Sequence, residues 1–311
     1  MMNSPIIERF AEESPTSLMV QGLMEHLFAQ QELDTLFEQQ TQAQYTRDLL
    51  FSEVVDLMSL VVCGLQPSVN RAYQRKAKEL QVSRTAVYDK LNRMEPEVSA
   101  ALVRYSSEQL SSCIREMDGA LPECVEGRRV RILDGNCLAA TDHRLAVLRP
   151  YAAKALPGKS LVVLEPALQL ATHVFPCLDG HAQERALFAS VLSIVEPGDV
   201  WIADRNMGTL KFLFALQQAQ ADFVIRQHGT PDWEALADLE YRGETTTGQV
   251  WEQPIRLHHD GQTLELRRIV VRLNQPTRDG DSDIAILTSL PTTMAGALAI
   301  AELYRNRWSV E

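Results

Sequence analysis

The hydrophobic periodicity of this chain changes near residue 125. Before that point, apolar residues recur at helical spacing, for example at Leu23 and Leu27, and strand-like runs are scarce. From Arg129 onward, strand-like segments such as RRVRILDGN, GDVWIADRN and DFVIRQ alternate with segments of helical periodicity. A helical stretch followed by alternating strands and helices predicts an all-helical N-terminal domain and an α/β domain whose mixed sheet is flanked by helices.

A second change in composition divides the α/β part of the chain. Over residues 229–281 the sequence is rich in Thr, Gly and Gln, and alternating segments such as GQVWEQPIRL and QTLELRRIVVRL stand between turn signals. We therefore predict a β-rich insertion there. It would separate a first part of the core, residues 126–228, from a final strand and helix, residues 282–311, and a helical region of residues 1–125 would precede the core.

The segment LQVSRTAVYDKLNRM has the pattern of a helix-turn-helix. Ser83 can cap the second helix, and Val87, Leu91 and Met94 would face inward at i, i+4 and i+7. The outward face would present four side chains that can bond phosphates or base edges: Arg84, Thr85, Tyr88 and Asn92. An ordinary amphipathic helix in a bundle has the same pattern, so DNA contact at this face is a hypothesis.

The overall charge is a poor match to a nucleic-acid-binding protein. The formal net charge is −11, whereas phosphate contacts are made mainly by Lys and Arg. The distribution of charge favours the helix-turn-helix hypothesis, because seven basic residues stand against two acidic ones between Arg71 and Arg93. An acidic protein with this local excess can still present a basic surface to DNA.

The sequence shows neither a secretory signal nor a membrane span. Its most apolar stretch, LLFSEVVDLMSLVVCG, is interrupted by Glu53 and Asp56, and no basic segment followed by an apolar run precedes it. The five cysteines are scattered and never form a CxxC pair, which argues against a disulfide framework and a zinc site. We expect a soluble cytoplasmic protein without a membrane partner.

Two aspartates share the same local setting. Asp134 and Asp204 each end an apolar strand, and each is followed within two residues by an asparagine. A strand-end aspartate is often a turn or cap residue, but two of them in one α/β segment, with Glu311 on a later core helix, favour a common site. Three carboxylates are hard oxygen ligands of the kind that Mg²⁺ prefers, and they could hold two ions about 4 Å apart. For His181 and Glu184, spaced i, i+3 without a nearby third ligand, surface pairing is favoured over metal binding.

The segment YRNRWSVE resembles the Tyr-Arg-Glu signature of DDE transposases of the insertion-sequence 4 type, and LDGN and ADRNM resemble the two aspartate motifs of that family. The resemblance covers residues 127–311. It implies an RNase H-like core, a β-rich insertion before the glutamate, and an N-terminal helical region that binds transposon ends. By motif, Asp134, Asp204 and Glu311 would be the catalytic triad and the metal ligands.

The same resemblance implies roles for neighbouring residues, a cofactor and partners. Tyr304 and Arg307 would contact DNA phosphates near the triad. Trp308 could stack on an unpaired base, and packing in the core is an equally good interpretation of a single tryptophan. The implied cofactor is Mg²⁺, as two ions, with Mn²⁺ able to substitute. The implied partners are transposon-end and target DNA, bound by a homodimer in a synaptic complex at the nucleoid.

The implied activity is metal-dependent cleavage of DNA phosphodiesters and strand transfer at transposon ends, with water attacking first and a freed 3′-hydroxyl second. Two alternatives stay open: a metal-dependent nuclease on the same core, and a catalytically weak protein that competes for transposon ends. The family signature continues past the glutamate to a lysine, which has no counterpart after Glu311. We therefore expect a truncated chain whose last helical turn frays, and which binds DNA but cleaves it weakly.

Overall fold

The computed structural model describes residues 12–42, 48–138, 158–177, 184–229, 232–277 and 280–307. Between Ser112 and Cys113 this part of the chain divides into two compact units. The boundary lies within one long helix, Pro96–Glu116. Among the helices in the described ranges, none is both long enough and apolar enough to cross a membrane.

The first unit is built from helices, as the apolar spacing predicts. Its described helices are α1 Pro15–Leu27, α2 Gln30–Gln40, α3 Phe51–Val62, α4 Val69–Leu80, α5 Arg84–Arg93 and the start of α6 Pro96–Glu116. Leu33 and Phe37 of α2 pack with Phe51 of α3 and Val98 of α6 in one buried apolar cluster. The prediction of an N-terminal helical region is confirmed for these residues.

Helices α4 and α5 form the predicted helix-turn-helix. At the end of α4, Gln81 adopts the left-handed backbone conformation (φ 49°), which turns the chain. Ser83 accepts a hydrogen bond from the backbone N–H of Ala86 (3.2 Å) and so caps α5 as predicted. Val87 is buried in the same apolar cluster as Leu80, which fixes the inward face of α5.

The described residues of the second unit form one ten-stranded mixed sheet. Its strands are β1 Val130–Leu138, β2 Gly158–Glu165, β3 Leu170–Cys177, β4 Val200–Ala203, β5 Asp222–Arg226, β6 Trp233–Ala235, β7 Glu240–Glu244, β8 Gly248–His259, β9 Gln262–Leu273 and β10 Asp283–Thr288. Their order is β3-β2-β1-β4-β5-β10-β9-β8-β6, and β7 pairs with β8. Strands β1, β4 and β5 are parallel to one another, whereas β2 is antiparallel to both β1 and β3.

Helices cover both faces of this sheet. They are α7 Phe188–Leu192, α8 Leu210–Gln218 and α9 Ala297–Arg305, and two short 3₁₀ turns span Glu184–Leu187 and Arg205–Met207. Every residue of the central strand β4 is buried, because successive side chains point to opposite faces and both faces are covered. Trp201 packs with Phe212 of α8, and Ile202 packs in a separate cluster with Ile300 of α9. This arrangement confirms the predicted RNase H-like α/β fold.

The β-rich segment predicted over residues 229–281 belongs to the same sheet. Strands β8 and β9 form a long hairpin that turns at Asp260 and Gly261, both with positive φ. The second half of β9, from Arg267 to Arg272, then pairs with the whole of β10. The segment therefore extends the core sheet at one side.

A buried carboxylate fixes the start of β4. Asp199 is 2% exposed and accepts hydrogen bonds from Arg129 Nε (2.8 Å) and from the backbone N–H of Glu196 (3.0 Å). Arg131, which is 4% exposed, has its Nε 3.5 Å from Asp199 Oδ2. Removal of the Asp199 carboxylate would leave the charge of Arg131 buried without its counter-ion.

We expect Asp199→Ala to lower the free energy of unfolding by about 3–5 kcal/mol, the range for removing one partner of a buried ion pair. Glu196→Ala is the matched control, because Glu196 is exposed where it pairs with Arg129, and exposed pairs contribute about 0–1 kcal/mol. Urea unfolding followed by tryptophan fluorescence measures both. Equally small losses in the two variants would contradict this role of Asp199.

Candidate active site

Asp134 lies in β1 directly after the buried Leu133. The prediction that it ends its strand is wrong, because β1 continues to Leu138 by pairing with β2. Strand β1 is parallel to β4, and the last registered pair between them is Leu133 with Ala203. One step further, this register brings Asp134 beside Asp204, the first residue after β4. Since neighbouring strands lie about 4.8 Å apart, the two aspartates occupy adjacent backbone positions, with Asp204 one residue beyond the end of β4. That their carboxylates share a metal site stays a prediction.

Asp204 also begins the 3₁₀ turn that follows β4. Its Oδ1 accepts a hydrogen bond from the backbone N–H of Asn206 at 2.8 Å. This is the cap role expected of a strand-end aspartate. The bond also holds the carboxylate in one orientation, so the cap role and a role in a site are compatible.

Arg307 lies just after α9 and reaches the edge of the sheet at which Asp134 and Asp204 lie. The helix packs on the sheet through Ile300 and Leu303. Just after it, Arg307 Nη1 donates a hydrogen bond to Asp134 Oδ1 at 2.9 Å. The two side chains are only 11% and 13% exposed. This largely buried, charge-assisted hydrogen bond ties the end of α9 to β1.

Tyr304 lies one helical turn before Arg307 and is buried. Burial raises the pKa of its phenol, the positive charges of Arg307 and Arg226 oppose this shift, and the carboxylate of Asp204 adds to it. The phenol of Tyr304 therefore lies close enough to Asp204, Arg226 and Arg307 to interact with their charges. Because its pKa lies above the usual value of about 10, it is protonated at neutral pH and can donate a hydrogen bond.

Arg226 is a site residue that the sequence motifs did not single out. It ends β5, and the register of Ala203 with Ile225 brings it beside Asp204. Its Nη2 donates to Asp281 Oδ2 at 2.6 Å. The signal that selected the two aspartates, a charged residue directly after an apolar run, is also present in DFVIRQ and could have identified Arg226.

The donor set at this edge fits part of a divalent-metal site. Asp134 and Asp204 offer carboxylate oxygens, which hard divalent cations prefer. Across the part of the chain that the structure describes, no group of three or more His, Cys, Asp or Glu side chains is arranged to hold a metal ion. The predicted third acid, Glu311, and the predicted stacking residue, Trp308, lie outside the described residues.

The predicted DNA-contacting side chains of α5 all face solvent. They are Arg84, Thr85, Tyr88 and Asn92. Lys90, which contributes to the local basic excess, differs, because its Nζ donates to the backbone oxygen of Leu49 (2.9 Å) and lies 4.5 Å from the centroid of the Phe37 ring. Burial lowers the pKa of Lys90. It is a packing residue of the first unit, so the count of basic residues overstates the basic surface.

Comparison with protein families gives a match that includes almost all of the second unit. A family model described as the transposase DDE domain matches residues 126–311, more than half of the chain. This chain belongs to the DDE transposase family. Comparison with curated proteins gives no match.

Membership of this family gives the site its chemical context. DDE transposases belong to the polynucleotidyl transferases and nucleases, act on DNA in transposition, and generally use divalent metal ions. The matched DDE domain begins just before β1 and includes Asp134, Asp204 and helix α9. The edge formed by Asp134, Asp204, Arg226, Tyr304 and Arg307 is therefore part of the transposase DDE domain.

The ion pair with Arg307 neutralises Asp134 and so competes with any other cation there. We expect Arg307→Gln to tighten Mn²⁺ binding to the DNA-free chain at least about fivefold, because ~1 kcal/mol is the upper value for an exposed ion pair and this pair is largely buried. Electron paramagnetic resonance of free Mn²⁺ measures the affinity. Arg305→Gln is the control, because Arg305 pairs with Glu302 and should not change Mn²⁺ binding. Weaker binding by Arg307→Gln would contradict this prediction.

Proposed function

We propose that this chain is a transposase of the insertion-sequence 4 type, which cleaves DNA at transposon ends and joins the freed ends to target DNA. The observation that carries the proposal is the row of Asp134, Asp204 and Arg226 on neighbouring strands, with Arg307 bonded to Asp134. Carboxylates suit the cations that assist phosphodiester cleavage, and guanidinium groups suit the phosphate itself.

The proposed metal ligands are Asp134, Asp204 and Glu311, which would hold two Mg²⁺ ions, with Mn²⁺ able to substitute. Ions bound there would supply an activated water or 3′-hydroxyl and stabilise the leaving oxygen. The protein's own contribution is orientation. The backbone N–H of Asn206 holds the Asp204 carboxylate, whereas Arg307 pairs with that of Asp134 in the free chain and would be displaced from it by a metal ion.

The proposed phosphate contacts are Tyr304 and Arg307. A guanidinium can bind phosphate through two parallel hydrogen bonds, and the protonated Tyr304 phenol can donate a third. Both groups lie beside the aspartates, so a phosphate bound to them would lie next to the proposed metal ligands. Trp308, the next residue in the chain, would stack on an unpaired base.

We also propose that the exposed face of α5 binds transposon ends. Its support is the pair of helices α4 and α5, in which Arg84, Thr85, Tyr88 and Asn92 are exposed while Val87 is buried. Since each synapse joins two ends, a homodimer that binds target DNA at the nucleoid is the proposed functional assembly.

The catalytic proposal is tested by Mg²⁺-dependent nicking of end-containing DNA. Asp134→Asn and Asp204→Asn should each lower the nicking rate at least about 1,000-fold, as is typical when a member of a catalytic unit is removed. Glu311→Gln should do the same. Asp238→Asn, which removes an exposed acid outside the site, should leave the rate unchanged.

Two results would overturn the proposal. Nicking that survives in both aspartate variants would mean that the chemistry lies elsewhere. Nicking that is lost in them, without any strand transfer by the parent chain to target DNA, would identify a metal-dependent nuclease on the same core instead of a transposase.

The end-binding proposal predicts a change in salt dependence. We expect Arg84→Ala to reduce the slope of log K against log[salt] by about one, because each neutralised phosphate releases condensed counterions. Lys90→Ala is the contrasting variant, since Lys90 packs on Phe37 and should alter stability without altering the slope. Fluorescence anisotropy at several salt concentrations measures both slopes. A change for Lys90→Ala alone would place the DNA surface elsewhere on the first unit.

A further inference from the structure

The carboxylate of Glu184 lies against Gly135, the residue after Asp134. A Cβ atom at position 135 would lie 2.5 Å from Glu184 Oε1 and 2.8 Å from its Cδ, closer than real atoms approach. The backbone of Gly135 does not itself require glycine, because its φ lies outside the left-handed region. The absent side chain at position 135 therefore provides the space that the Glu184 carboxylate fills.

The 3₁₀ turn that begins at Glu184 also contacts the loop that carries Asp204. Asn206 Nδ2 lies 3.5 Å from Glu184 Oε2. Arg185 Nε donates a stronger hydrogen bond to the backbone oxygen of Asn206 at 3.1 Å. Asn206 in turn donates its backbone N–H to Asp204. One turn thus contacts both the residue that follows Asp134 and the residue that holds Asp204.

We propose that Glu184 is a positioning residue of the active site, which keeps β1 at Asp134 and the turn after Asp204 in the arrangement that binds a divalent cation. The proposal rests on the proposed function, because it takes these two aspartates as metal ligands. Glu184 acts through Gly135 and Asn206, since no acidic triplet within the described ranges is arranged to hold a metal. The surface pairing predicted from its spacing with His181 stays a prediction, because His181 lies outside the described residues.

Groups that support metal ligands typically change metal affinity by about 10- to 100-fold when they are removed. We therefore expect Glu184→Ala to weaken Mn²⁺ binding, measured by electron paramagnetic resonance of the DNA-free chain, about tenfold. Glu184→Gln fills the same space over Gly135 and keeps an oxygen that can accept from Asn206. It should stay within about threefold of the parent chain, because it loses charge but no contact.

Gly135→Ala provides an independent test that leaves Glu184 in place. The new methyl group would displace the flexible end of Glu184, so this variant should also weaken Mn²⁺ binding about tenfold. Because both changes act on one contact, the double variant Gly135→Ala/Glu184→Ala should bind no more weakly than Glu184→Ala alone. The melting temperature of each metal-free variant checks that the fold is retained.

Several results would overturn the positioning role. One is parent-like Mn²⁺ affinity in both Glu184→Ala and Gly135→Ala. Another is a double variant whose Mn²⁺ affinity falls by the product of the two single losses. The third is a tenfold loss of Mn²⁺ affinity in Glu184→Gln, which would mean that the charge of Glu184 matters and not its contact. Asp204→Asn separates this failure from failure of the proposed function. If Asp204→Asn binds Mn²⁺ like the parent, the proposed metal pair itself is wrong. If it loses Mn²⁺ binding while the Glu184 and Gly135 variants do not, only the role of Glu184 is wrong.

Discussion

The parallel pairing of β1 with β4 is the constraint on which the second unit depends. It sets Asp134 beside Asp204, and the next parallel pair, β4 with β5, adds Arg226 to the row. The register is specified by packing, because a slip of one residue would turn Trp201 out of the apolar cluster that it fills on one face of the sheet and into the different cluster on the other face. The packing of Trp201 and Ile202 on opposite faces of the sheet therefore also determines which charged groups meet at its edge.

The charges at this edge are matched to one another. Asp134 pairs with Arg307, and Arg226 pairs with Asp281. The Asp134–Arg307 pair is the less exposed of the two, so its charges act more strongly than they would in water. A cation that binds Asp134 would replace Arg307 as its partner, and a phosphate that binds Arg307 would replace Asp134. The edge is therefore compatible with the proposed binding of both a cation and a phosphate.

Local patterns in the sequence were sufficient to predict the position of a residue where a single helix or strand determines that position. The buried Val87 on α5 and the position of Asp204 just after β4 are of this kind. Contacts between residues distant in sequence could not be predicted, because they depend on how the elements pack. Examples are the pairing of β5 with β10, the position of Lys90 over the Phe37 ring, and the contact of Glu184 with Gly135. In each case the residue types are compatible with several partners, and only the tertiary structure selects one.

The central claim is that Asp134 and Asp204 together bind the divalent cation of a DDE transposase. Anomalous diffraction from crystals of the chain soaked in Mn²⁺ tests it directly. We expect a Mn²⁺ peak within about 2.5 Å of a carboxylate oxygen of each aspartate. Mn²⁺ peaks elsewhere on the molecule at saturating concentration, with neither aspartate coordinated, would contradict it.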